Sequence, residues 1–253
     1  MRSSLCVLIA LATTAPSDVA TPDAAADLGR RLADFRSPAP IAASVHLDLH
    51  LERVLHHRTV KGDASVPLDV EQDAAALRVQ WDPAVLRRAD VEEGERDAAT
   101  DRTTPVREAL KELDPGRVSH LLDQAGTLAG LTKGGPAEEA VDTYEGRPAR
   151  RLVYRFQPRL SWTESYYLHH SEGRFTVWIA ADGTPLASDS VATFEGKTSR
   201  MFGRFRGSTT IHTRYAVDGG RLWVAERDFD DFRSREDGSE VEHRSERFVL
   251  KRR

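Results

Sequence analysis

Leu28, Leu32 and Phe35 recur at helical spacing in DAAADLGRRLADF, residues 23 to 35, with Asp23 placed as a cap after Pro22. The pattern predicts a short amphipathic helix, and SPAP at 37 to 40 ends it. The period then changes. Val45, Leu47, Leu49 and Leu51 alternate with His46, Asp48, His50 and Glu52, the signature of a half-buried strand. Alternation continues in RTVKGDASVPLDV (58–70) and in ALRVQW (76–81), where Leu77, Val79 and Trp81 share a face. Residues 90–104, DVEEGERDAATDRTT, are charged and lack apolar period, so a loop or irregular edge is expected.

The middle of the chain reads as helical. Pro105 and Pro115 follow Thr104 and Asp114, each a capping residue before a proline at the first helical position. In RVSHLLDQAGTLAG, Val118, Leu121, Leu122, Ala125, Leu128 and Ala129 fall on one stripe that leaves His120 in solvent, and TKGGP at 132–136 stops it. Strands return from Val141 onward. RLVYRF carries Leu152, Tyr154 and Phe156 on one face; RFTVWIAADGTPLASD turns at Asp182 and Gly183; TTIHTRYAVDGGRLWVAERDF turns at Asp218, Gly219 and Gly220; SEVEHRSERFVLKR is a last, charge-rich strand. About eight to ten strands with two or three helices make an α+β protein built on one antiparallel sheet.

Composition bounds this picture. The 253 residues are 40% hydrophobic and 30% charged, a foldable balance, and the net charge of −4 with interspersed bases excludes the one-sided positive field of a nucleic-acid binder. At the N-terminus MRSS precedes LCVLIALA and the small residues of TTAPSDVA, so residues 1–22 are expected to be an export signal too short to span a bilayer permanently. A periplasmic or secreted chain of residues 23–253, forming one domain without a transmembrane segment, follows. Cys6, the single cysteine, would leave with the signal and take thiol chemistry with it.

His46, Asp48 and His50 project from one face of one strand, roughly 7 Å apart at each step, and imidazole and carboxylate suit zinc-like ions. The same spacing arises on any strand with a watery face, and no HExxH or similar motif supports a metal. His56 with His57, and His169 with His170, are adjacent and point to opposite faces. FEGKTS at 194–199 ends like a phosphate loop but has Val191 where glycine is required. No GxSxG elbow is present, and Asp228, Asp230 and Asp231 read as a solvated turn between strands. No motif calls for a cofactor.

What recurs is one-sided apolar surface: Val45, Leu47, Leu49 and Leu51; Leu77, Val79 and Trp81; Leu152, Tyr154 and Phe156; Phe175, Val177 and Ile179. A curved sheet with such a face either packs its helices there or leaves a hydrophobic cavity.

The helix DAAADLGRRLADF leading into VHLDLHLERV, the strands through ALRVQWDP, the helical insertion at 105–131, and GRPARRLVYRF followed by FTVWIAADGTPLAS together resemble the LolA/LolB-like periplasmic lipoprotein-carrier superfamily. The short phrases are Gly146, Arg147 and Pro148, then Asp182, Gly183, Pro185 and Leu186. The resemblance implies an unclosed half-barrel whose concave apolar face takes acyl chains, with the helices on that side as a lid. This chain departs from the carriers in its arginine content and in lacking a lipobox. The expected function is therefore an exported, non-catalytic envelope protein, a carrier or sensor that binds a lipid, acyl chain or lipoprotein. A filled core serving a protein partner of the envelope is the alternative, and a metal-dependent hydrolase at His46 and His50 the third.

Overall fold

A computed structural model describes residues 23–35, 39–55, 58–73, 75–98, 103–158, 168–197, 203–235 and 240–253. The expected export signal, His56, His57 and part of the expected loop at 90–104 lie outside them. The chain begins with α1 (Ala24–Asp34), capped by the Asp23 carboxylate accepting from the Ala26 amide at 3.0 Å. There follow β1 (Ile41–Leu55), β2 (Arg58–Gln72) and β3 (Leu77–Trp81), then α2 (Pro83–Ala98), α3 (Pro105–Glu112), α4 (Pro115–Leu122) and α5 (Ala125–Leu131). The described elements after these are strands: β4 (Glu138–Tyr144), β5 (Arg147–Phe156), β6 (Leu168–Ile179), β7 (Pro185–Lys197), β8 (Arg204–Asp218), β9 (Arg221–Arg235) and β10 (Glu240–Arg252).

All ten strands form one antiparallel sheet in the order β3-β2-β1-β10-β9-β8-β7-β6-β5-β4. Consecutive strands pair by hairpins, and the two blocks are joined where β1 meets β10, with Val45 opposite Leu250 and Leu47 opposite Phe248. β3 and β4 are left as edges, so the sheet is an unclosed half-barrel. Helices cover one face. Val106, Ala109, Leu113 and Val118 of the insertion are 0% exposed against Val45, Leu47, Val66 and Val70. At the other end Leu28, Leu32 and Phe35 of α1 and Leu128 of α5 close over Leu152, Tyr154, Phe175, Val177 and Ile179.

Four expectations need correction. Residues 90–98 are helical, the second half of α2, because Ala89 packs on the core while Glu92 accepts from the α3 amides of Val106 and Arg107 at 3.2 and 3.1 Å. That carboxylate does the capping expected of Thr104, whose side chain makes no cap hydrogen bond. Asp114 does cap α4, accepting from Gly116 and Arg117 at 2.8 and 3.2 Å. The single stripe expected over 118–129 is two helices: Asp123 turns extended, the Gln124 amide donates to the Leu222 carbonyl of β9 at 2.9 Å, and Ala129 is exposed. Among the described residues five helices stand where two or three were expected.

Candidate functional site

Strand alternation sorts the charged residues of β9 and β10 onto two faces, and on the helix face it gathers Arg227, Phe229, Asp231 and Arg233 beside Glu242, Arg244, Glu246 and Phe248. With Thr209 of β8, Glu112 of α3, and Arg117, His120 and Leu121 of α4, they line a cleft of about 640 Å³ between sheet and helices. That volume falls in the roughly 300–1,000 Å³ range of small-molecule sites. Phe248 and Leu121, 5% and 4% exposed, give it an apolar wall.

Its carboxylates are already spoken for. Glu246 accepts from Arg244 at 2.5 Å, Arg244 also meets Glu112 at 2.7 Å, and Glu112 pairs with Arg117. Asp231 takes Arg233 at 3.0 Å and the Thr209 hydroxyl at 2.6 Å, while Glu242 takes Arg53 at 3.1 Å. The lining holds four arginines and four acids, but these pairs are made by Arg117, Arg233 and Arg244 with Arg53 from outside the lining, and Arg227 is in none of them. Its Nε is shielded from solvent without a hydrogen-bond partner among the described residues. Burial holds its guanidinium below the usual arginine range, against the opposing pull of Tyr215 and Glu246. Tyr215 does not neutralise it: burial pushes that phenol up to about 12, and its hydroxyl lies 2.6 Å from that of Ser188. Arginine keeps its proton in proteins, so a charged guanidinium stands in the cleft wall outside the ion pairs around it, with Glu246 the acid that acts on it.

The expected lining residues lie elsewhere on the same face. Val45, Leu47 and Leu49 are 0–2% exposed in the cluster under α3 and α4, and Leu51, Leu77, Val79 and Trp81 pack against it. Leu152, Tyr154, Phe175, Val177 and Ile179 are covered by α1 and α5, with Phe156 at their margin. All thirteen touch the chain's own side chains, and none borders the 640 Å³ cleft. Periodicity reasoning missed the cleft because its wall positions on β9 and β10 are charged. Asp228, Asp230 and Asp231, expected in a turn, are inside β9, where Asp231 points to the cleft and is only 8% exposed.

The opposite face holds the metal candidates. His46, Asp48 and His50 stand along β1, but the sheet draws them apart. His50 Nδ1 contacts Asp63 of β2 at 2.6 Å, whereas His46 Nε2 lies 3.0 Å from Asp48 and 3.0 Å from the Ser65 hydroxyl. Among the described residues no group of three or more histidines and acids is placed to share an ion. The Ser65, His46 and Asp48 contact is not a nucleophile relay either, because hydroxyl and carboxylate meet the same ring nitrogen and the Ser65 hydroxyl donates to Asp48 at 2.8 Å. Two further pairs, His212 with Asp189 at 2.5 Å and His243 with Asp230 at 2.8 Å, belong to the same exposed face. A shallow depression of about 650 Å³ runs along it, lined by Asp48, His50, Asp228 and Arg247 among others.

No helix of the described residues is long and apolar enough to cross a membrane. No family model matches the chain, and no curated protein matches it. A search of solved structures finds a DUF1329 family protein from Desulfovibrio piger at 9% identity and a TM-score of 0.27, covering 90% of this chain and 92% of that one.

Proposed function

We propose that the protein is an exported binding protein of the cell envelope that holds a lipid, an acyl chain or a lipoprotein's acyl group between its half-barrel and the helices, without chemistry on the ligand. The observation that carries this reading is the cleft on the helix face, where Leu121, Phe229 and Phe248 line a 640 Å³ space next to a continuous apolar core. Each methylene buried there contributes about 0.8 kcal/mol, so a chain of several carbons binds by burial alone. The roof is made of short pieces. α3 and α4 are eight residues each and α5 is seven, lengths that are marginal without tertiary packing. A ligand longer than the cleft reaches Leu49, Leu51 and the neighbouring core positions by displacing α3 and α4.

The test is organic extraction and native mass spectrometry of the protein purified from envelope fractions, with uptake of a fluorescent fatty acid. A co-purifying hydrophobic molecule and saturable uptake are expected. An empty protein that takes up no probe overturns the reading. The alternative, a docking face for an envelope protein, finds support in the polar outward face with its four histidine–aspartate pairs, and a pull-down from envelope extract with the outward pairs replaced separates it from ligand binding.

A further inference from the structure

Two shielded guanidinium groups of β9, Arg221 and Arg227, have different surroundings. Arg221, 3% exposed, donates to Gln72 Oε1 at 2.6 Å, the Ala39 carbonyl at 3.0 Å and the Leu122 carbonyl at 3.3 Å, and so ties the start of β9 to the sheet and to α4. Arg227, six residues on and facing the cleft, makes no side-chain hydrogen bond or ion pair among the described residues, and its Nε, like that of Arg221, is shielded from solvent without a partner. Leaving a guanidinium in a low-dielectric site without hydrogen-bond partners is costly even with an acid nearby, and the group cannot escape by deprotonating. A position of this kind is maintained at a cost in stability, and an anion entering the cleft would recover it through charge-assisted hydrogen bonds.

From this unpartnered guanidinium beside an apolar wall we infer that the cleft binds an anionic amphiphile, its carboxylate or phosphate on Arg227 and its hydrocarbon along Leu121, Phe229 and Phe248. The assignment rests on the proposed ligand-binding role and adds the chemical class of the ligand. Each acid of the cleft is ion-paired with another arginine, so Arg227 is the cleft's guanidinium whose hydrogen-bond donors an incoming anion can take, in competition with the nearby charge of Glu246. Arg117, paired with Glu112, lines the same cleft and its charge lowers the proton affinity of Arg227. A guanidinium can hold either carboxylate or phosphate with two parallel hydrogen bonds, which leaves the choice between fatty acid and phosphate monoester to experiment.

Calorimetric titration of the full chain with decanoate, decyl phosphate, uncharged decanol and inorganic phosphate tests this. At least one charged amphiphile is expected to bind tenfold or more tighter than decanol, the size of a hydrogen bond to a charged group. In Arg227→Met that ratio falls toward one, and in Arg30→Met, an exposed site on α1, it stays. Should Arg227→Met fail to fold, Arg227→Gln carries the same comparison. Equal binding of decanol and the anions by the wild type overturns the anionic class while leaving a hydrophobic ligand standing. Binding of inorganic phosphate as tight as that of decyl phosphate overturns the amphiphile and makes the occupant a free anion. Binding of none of the four overturns both this inference and the function on which it rests.

Discussion

Arg227 and Asp182 show how differently a charge acts on this fold according to its surroundings. Arg227 is desolvated and unmatched, so replacing it with a hydrophobe of similar volume removes a penalty and not an attraction. Arg227→Met is expected to raise stability by on the order of 1 kcal/mol or more in urea titration without added ligand; a lower midpoint would show that Arg227 supports the fold. Asp182 is the opposite case. Its carboxylate accepts from the Thr184 amide at 3.0 Å and hydroxyl at 2.9 Å, and these bonds, chiefly the amide's, hold its pKa below the usual aspartate range. A depressed folded pKa means the contribution is present above the unfolded value and lost as pH falls through the folded one. Asp182→Ala should therefore cost a few tenths to about 1 kcal/mol near neutrality, with the gap to wild type closing as the pH is lowered through and below the usual aspartate range. A gap that stays constant over that range contradicts the linkage.

At the scale of elements, the caps and turns decide which parts of the chain dock. Asp114 satisfies two orphan amides of α4, whereas Thr104 satisfies none in α3 because Glu92 reaches over from α2. Asp114→Ala is expected to cost about 0.5–2 kcal/mol, and Thr104→Ala distinctly less, with Glu92→Ala destabilising more than Thr104→Ala. Equal losses at the two threonine and aspartate positions would refute this division of labour. Gly183, at φ +85°, is fixed by more than turn geometry: a Cβ there would sit 2.5 Å from the Asp27 carbonyl oxygen, so the β6–β7 hairpin approaches α1 at a distance only glycine allows. Gly183→Ala should loosen α1 and be read out as earlier proteolysis of the N-terminal segment, while the same change at Gly146, φ +75° with nothing near its Cβ, strains only its own turn.

Across the whole molecule stability is uneven by construction. Fifteen-residue strands β1, β8 and β9 are paired on both sides, whereas α3, α4 and α5 are a turn or two each and hold through one apolar face. Amide exchange is expected to be fastest in α3–α5 and slowest in β1, β9 and β10, and a bound amphiphile should protect α4 in particular. Uniform protection of helices and sheet would argue against a roof that opens.

The period-two alternation of Val45 to Leu51 and of Leu152 to Phe156, the Asp-Gly turns and the helical insertion made the α+β half-barrel legible, because strand faces and turn geometry are written in neighbouring residues. The same locality limited the reading. A charged stretch such as DVEEGERDA is a helix here because of what α2 packs against, and its own residues carry little apolar period. His46 and His50 share a strand face, yet their partners come from β2, so spacing along one strand said nothing of convergence. The cleft is the clearest instance. Arg227 is one of many arginines in the sequence, and it becomes an unpaired charge only when tertiary structure hands every nearby carboxylate to another cation, a matter of pairing across β9, β10, α3 and α4 that no local pattern encodes.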